Sequence, residues 1–227
     1  MKKIFKILFK LFIGFMLVSV LSVAIYTVIN PPFTPLMFFR TFEYLFEGEP
    51  VQIDKDWMSY DEIDKKIIRA LVAAEDARFM THEGFDWRAI KAARRYNERM
   101  DGKKKRGAST ITMQTAKNTF LWHGRNYVRK ALEAYFTVLI EAVWGKKRIL
   151  EVYVNIIEWG NGVYGANAAA QAYFGHDASK LTKQEAALLA AVVPNPRRWS
   201  PATPTRYILR RANWIKGRMN SVAIPKD

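Results

Sequence analysis

Hydrophobic and polar positions divide the chain into two regimes. Residues 11–29 form a run of nineteen without a charge, close to the roughly 20 apolar residues that a helix needs to cross a bilayer. Lys2, Lys3, Lys6 and Lys10 precede the run; a basic flank stays cytoplasmic, which sends the rest of the chain to the far side. A cleaved signal peptide would have a shorter apolar stretch ending in a small-residue site, and no such site stands near Asn30. The segment therefore reads as an uncleaved anchor. Asn30, Pro31, Pro32 and Pro35 break the helix after it, and the aromatic-rich residues 33–46 have the composition of a membrane–water interface.

Beyond Asp61 the period becomes helical. Ile63, Ile67, Ile68, Leu71 and Val72 recur on one face, and further helices are predicted over residues 88–100, 110–120, 125–143, 147–157, 166–174, 183–192 and 204–219. Thr182 with Glu185 forms a capping box, Thr203 precedes a proline at a first helical position, and Gly175 closes an alanine-rich helix. No run of alternating strands interrupts them, so the fold class is mainly α. Neither a fixed repeat nor a low-complexity tract is present beyond the basic stretch 101–107, which reads as a mobile loop. The expected organisation is a cytoplasmic basic tail (1–10), a transmembrane anchor (11–29), a juxtamembrane linker (30–56) and one catalytic domain (57–227).

Charge narrows the partner. Lys and Arg total 36 against 21 for Asp and Glu, a formal net charge of +15, which points to an anionic partner. Export of the domain disfavours nucleic acid and favours a lipid phosphate. With no cysteine, disulfides and thiolate metal sites are excluded, and His82, His123 and His176 are too far apart for a helical metal pair. No dedicated metal site is expected.

Three groups of residues could carry chemistry. Glu75 follows Ile68, Leu71 and Val72 on the apolar helix face; burial and the negative end of the helix dipole would raise its pKa into the range useful for a general base. A helix-end carboxylate paired with Arg78 or Lys66 is the structural alternative. The segment 107–118 opens a helix whose first amides suit an anion, with Gln114, Lys117 and Asn118 on one face; an ordinary serine-capped amphipathic helix is its alternative. Arg129 and Glu133 stand at i and i+4 among apolar residues, as an ion pair or as the second carboxylate of a sugar cleft. Glu141, Glu151, Glu158 and Glu185 have adequate surface or capping roles. Asp54 and Asp56, an Asp-x-Asp triplet without strand context, read as chance.

Taken together, EDARFMTHEGFDW from Glu75, GASTITMQTAKNTFL from Gly107, RKALE from Arg129, KKRILEVYVNIIEWGNGVYGANAAAQAYFG from Lys146 and LTKQEAALLAAVVPNP from Leu181 resemble glycosyltransferase family 51, in that family's order and spacing. The likeness runs from about residue 57 to 201 and fits the short, anchored, monofunctional form. No Ser-x-x-Lys or Lys-Thr-Gly triplet of a transpeptidase occurs in the sequence.

The resemblance implies a lysozyme-like, mainly α domain with a small membrane-facing subdomain. It implies polymerisation of lipid II by inverting transfer, with undecaprenyl diphosphate released. Glu75 would be the base and Glu133 the second catalytic carboxylate. Ser109, Gln114, Lys117, Asn118, Arg125 and Lys146 match substrate-binding positions. No tightly bound cofactor is implied, beyond a divalent cation (Mg²⁺ or Mn²⁺) at the diphosphate. The implied partners are lipid II, the growing lipid-linked strand, the membrane and cell-wall synthesis proteins, with no nucleic acid. The implied location is the cytoplasmic (inner) membrane, single-pass, catalytic domain outside. Met113 and Thr115 depart from the family's usual Gln and Leu, which alters details of the donor site. A lytic enzyme acting on finished peptidoglycan and a non-catalytic envelope scaffold remain as alternatives, since a two-carboxylate cleft serves hydrolysis too.

Overall fold

The computed structural model describes residues 2–101, 106–124 and 126–226; Arg125 and most of the basic 101–107 stretch, expected above to be a binding arginine and a mobile loop, lie outside the described residues. The chain begins with α1 (Lys2–Ile25), a helix long and apolar enough to span a membrane. It starts within the basic flank and ends before residue 29, so the helix is displaced toward the N-terminus relative to the uncharged run. Residues 26–28 form turns and residue 29 a bend.

One face of α1 is docked. Val23 is fully buried, its carbonyl accepts from Trp144 Nε1 at 2.8 Å, and Ser19 Oγ lies 2.6 Å from the Tyr135 hydroxyl. Phe15 packs on Tyr135 at 5.7 Å between ring centroids. The remaining α1 side chains are mostly exposed, as expected for a helix whose other face meets lipid and compatible with a single-pass anchor.

The aromatic stretch, expected as linker, is instead a second helix, α2 (Pro35–Glu47). Thr34 caps it by accepting from Met37 N at 3.4 Å, Pro35 occupies the first turn, and Gly48 ends it at φ 70°. Leu36 and Met37 pack on Tyr164 in a small core of their own, leaving Phe38, Phe42 and Phe46 exposed. Proline read as a breaker there is a helix starter.

The main body is built from α3 (Lys65–Glu75), α4 (Trp87–Arg99), α5 (Ile111–Phe120), α6 (Tyr127–Val143), α7 (Lys146–Ile156), α8 (Ala166–Phe174), α9 (Lys183–Val192) and α10 (Arg206–Arg218). α9 packs on both α3 and α10, and α5 on both α6 and α7. Ile67, Ile68, Leu71, Tyr153, Trp159 and Leu189 are completely buried in one continuous core. The capping box at Thr182 and the Gly175 terminus stand as expected. α10 does not start at Pro204: Thr205 is its cap, accepting from Ile208 N at 3.4 Å.

Among the described residues three short strands accompany the helices of this mainly α fold: β1 (Asp54–Lys55), β2 (Glu158–Gly160) and β3 (Val163–Tyr164), in the order β1-β3-β2 with β1 and β3 parallel. Asp54 therefore belongs to a strand, and Asp56 accepts from Asn167. The β2–β3 turn needs glycine at 162: φ is 73°, and a Cβ would come 2.4 Å from the Gln52 carbonyl oxygen.

Candidate active site

Glu75 is the last residue of α3, where the helix meets the cleft. Its side chain is 15% exposed; Oε2 accepts from Gln114 Nε2 at 3.1 Å and Oε1 from an Nη of Arg211 at 3.2 Å. The expected structural partners, Arg78 and Lys66, are committed elsewhere, to Asp86 and Asp64. Burial pushes the Glu75 pKa above its ordinary value, against the pull of Gln114, Arg211 and Lys117. The group can thus take up a proton more readily than an exposed carboxylate.

Gln114 sets the orientation of this carboxylate. Its Oε1 accepts from the hydroxyl of Tyr153 at 3.2 Å, which turns its amide N–H₂ toward Glu75. Tyr153 is fully buried, and burial together with nearby Glu75 keeps it firmly protonated as a donor.

The start of α5 is held from the other side. Asp76, next to Glu75, accepts from Ile111 N at 3.0 Å and pairs with His82 Nε2 at 2.9 Å. Thr110 caps the helix by accepting from Met113 N and donates to Gly84 O at 2.6 Å. These groups occupy amides that the sequence offered to an anion, and the cap is Thr110 in place of Ser109. With the Ile111 and Met113 amides occupied, the groups of α5 that face the cleft are side chains, those of Gln114, Lys117 and Asn118.

Those side chains line a second chamber. One cleft, of about 660 Å³, is bordered by Glu75, Arg78, Ser109, Gln114, Arg211 and Trp214. The adjoining chamber, of about 250 Å³, is bordered by Arg40, Gln114, Lys117, Asn118, His123, Glu158 and Arg197. Gln114 and Pro194 belong to both walls. Glu75 thus lines one part of a divided cleft together with Arg78, Arg106 and Arg211, and Arg40, Lys117 and Arg197 line the other together with Glu158. Burial lowers the pKa of Lys117, while Glu133 opposes the shift; an anion beside it would offset the cost of holding the buried ammonium charged.

Two expected site residues are placed differently. Glu133 is buried, with Oε2 2.5 Å from Arg129 Nη1 and Oε1 bound by Lys130; it backs Lys117 electrostatically and does not border either chamber. Lys146 bonds the His82 carbonyl at 2.7 Å and Glu141 at 2.8 Å, and Glu141 also accepts from Thr112 at 2.6 Å. Lys146 is turned into this internal network and is absent from the cleft walls.

Arg40, Arg197, Arg211 and Glu158 were not singled out from the sequence, or were read as surface groups. Glu158 is 7% exposed in β2 and takes Arg40 Nε and Nη2 at 3.2 and 2.9 Å. No sequence signal distinguishes these residues, because each reaches the cleft from an element remote in the chain.

Comparison with known proteins decides the family. Residues 44–220 match the family model Transglycosylase. The chain belongs to the transglycosylase family. It is 50% identical over 221 residues to the biosynthetic peptidoglycan transglycosylase of Pseudomonas fluorescens (strain SBW25), covering 96% of this chain and 91% of that protein. It is 52% identical over 206 residues to the protein of the same name from Rhodospirillum centenum, covering 91% and 86%. As a transglycosylase the chain is a glycosyltransferase of peptidoglycan biosynthesis, with a mainly helical, lysozyme-like domain. The divided cleft is the place in this transglycosylase where a desolvated carboxylate and a group of cationic side chains share a wall.

Proposed function

We propose that the protein polymerises lipid II into linear glycan strands, outside the cytoplasmic membrane and anchored in it by α1. The observation that carries the reading is the division of the cleft, with the desolvated Glu75 carboxylate, held by Arg211, on one side of Gln114, and Arg40, Lys117 and Arg197 grouped on the other. The growing strand would place its diphosphate in the cationic chamber, and the acceptor its 4-hydroxyl beside Glu75. Glu75 takes the hydroxyl proton as the oxygen attacks the anomeric carbon from the face opposite the diphosphate. The bond to the diphosphate oxygen breaks, its electron pair leaves with undecaprenyl diphosphate, and the configuration inverts.

Lys117, with Asn118 beside it, would compensate the leaving charge. Glu133 supports Lys117 from behind, as a positioning group. Ser109 borders the acceptor chamber. A divalent cation does not fit these residues well: both oxygens of Glu133 are on cationic side chains and those of Glu75 on Arg211 and Gln114. Among the described residues no cluster of three metal-ligating side chains stands near the cleft. Four lysines before α1's apolar stretch support a cytoplasmic N-terminus, which puts the cleft on the outer side with its lipid-linked substrate.

The test is polymerisation of labelled lipid II by the full chain in detergent, beside Glu75→Gln. Polymer from the wild type alone is the expected result. Soluble muropeptides from purified sacculi, with no polymer from lipid II, would replace this reading with a lytic one.

A further inference from the structure

The N-terminal side of the cationic chamber holds an unusual arrangement. Glu43 Oε2 is bound at once by Arg40 Nη1 at 2.5 Å and Arg197 Nη1 at 3.1 Å. One oxygen between two guanidinium groups is the geometry that a phosphate oxygen adopts between paired arginines. The two arginines are fixed from behind. Glu158, only 6% exposed at its side chain, grips Arg40 through Nε and Nη2, and Asn161 accepts from Arg197 Nε at 3.1 Å. Tyr44 donates to the same Asn161 oxygen at 2.8 Å, tying α2 to the β2–β3 turn.

Among the described residues Glu43 has no other side-chain partner than these two arginines, and its side chain is 40% exposed. An exposed carboxylate on two well-anchored arginines is the displaceable member of the cluster. The position also suits a lipid-borne ligand, since Arg40 and Glu43 lie on α2 between the exposed Phe38, Phe39, Phe42 and Phe46 and the chamber of Lys117. Both residues precede the stretch matched by the family model, which starts at residue 44.

Resting on the polymerase reading above, we infer that Arg40 and Arg197 form a phosphate-recognition site at the α2 side of the chamber, occupied in the free protein by Glu43, which the diphosphate of the lipid-linked substrate displaces. Arg40 and Arg197 are substrate-binding residues in this scheme; Glu158 and Asn161 are positioning residues; and Glu43 lowers the apparent affinity by competing for the arginines.

The experiment is equilibrium binding of fluorescent lipid II to the full chain in neutral detergent micelles, read by anisotropy, with Glu75→Gln as the common background so that turnover does not intrude. Arg40→Ala should weaken binding about tenfold or more, the loss of one charge-assisted contact, with Arg40→Lys intermediate. Glu43→Gln should tighten binding by a factor of several. Melting curves matching the parent exclude misfolding as the cause. Unchanged affinity in Arg40→Ala, or weaker binding in Glu43→Gln, overturns the inference even if the wild type polymerises lipid II. Labelled phosphatidylglycerol is the second probe: sensitivity of its binding to Arg40→Ala, with lipid II binding unaffected, would assign the pair to a phospholipid headgroup and overturn the substrate site. A wild type that fails to polymerise, while Arg40→Ala still loses lipid II, would sink the polymerase reading and leave the phosphate site standing.

Discussion

Arg211 Nη2 lies 3.2 Å from Glu75 Oε1, joining two residues 136 positions apart in the chain. The contact exists because α9 packs on both α3 and α10, bringing the end of α3 and the middle of α10 to the same side of the cleft. The guanidinium tempers the rise in the Glu75 pKa that burial causes. Arg211→Ala should therefore raise that pKa further. The acidic limb of the polymerisation rate against pH should move to higher pH, with the rate at its plateau less affected than the rate near neutrality. A limb that stays in place would show that Glu75 is not the group whose ionisation it reports.

Glu75→Gln separates catalysis from stability. Loss of a general base lowers the rate by about 10²–10⁴-fold, whereas the fold should gain or hold. The Glu75 pKa is raised in the folded protein, so protons bind the folded state more tightly than the unfolded one. That penalty on the ionised form is absent below the unfolded value of 4.5 and grows as pH rises through the folded value. The thermal midpoint of Glu75→Gln should thus match the wild type in acid and equal or exceed it at pH above neutrality. A midpoint well below wild type at alkaline pH would mean that the bonds from Gln114 and Arg211 outweigh desolvation.

Asp76 has a different task from its neighbour. Asp76→Ala would leave Ile111 N–H and His82 Nε2 without their acceptor at a buried position. Each stranded group costs about 1–3 kcal/mol, so a clear fall in the denaturation midpoint is expected. Activity should fall with it, because Gln114 sits on the first turns of the helix that Asp76 fixes. Unchanged stability would show that water or another group takes over.

Arg148 joins α1 to the body. Its guanidinium donates to the carbonyls of Tyr26 and Ile29 and to Asn30 Oδ1, all at 2.9–3.0 Å, just where α1 ends. Arg148→Ala should free the segment between α1 and α2, read as faster limited proteolysis between residues 26 and 34, with the cores of α3 and α9 unaffected. Equal cleavage rates would place the hold on α1 in Trp144 and Tyr135 alone.

Much of this was legible in the sequence. The apolar run, the 3.6-residue period, the capping box at Thr182 and the terminal Gly175 are local signals, set by propensity and by hydrogen bonds within a few residues. They determined the helical class and the presence of a long apolar N-terminal helix. Glu75 stood out as a polar residue on an apolar helix face, and Gln114, Lys117 and Asn118 as polar residues sharing one face of another helix; the fold brings all four to the cleft walls.

What the sequence could not decide depends on contacts across the chain. Proline at 35 reads equally as breaker or first-turn residue, and only Thr34 accepting from Met37 N settles it. Glu158 looks like a helix-end surface group until Arg40, 118 residues away, closes on it. Lys146 looks like a free cation until Glu141 and the His82 carbonyl take its charge inward. Local pattern determines which segments become helices and which faces are apolar, because those choices are made within a few residues. Whether a given charge faces substrate or the interior is decided by packing, because burial and a partner from a distant element together set its energy.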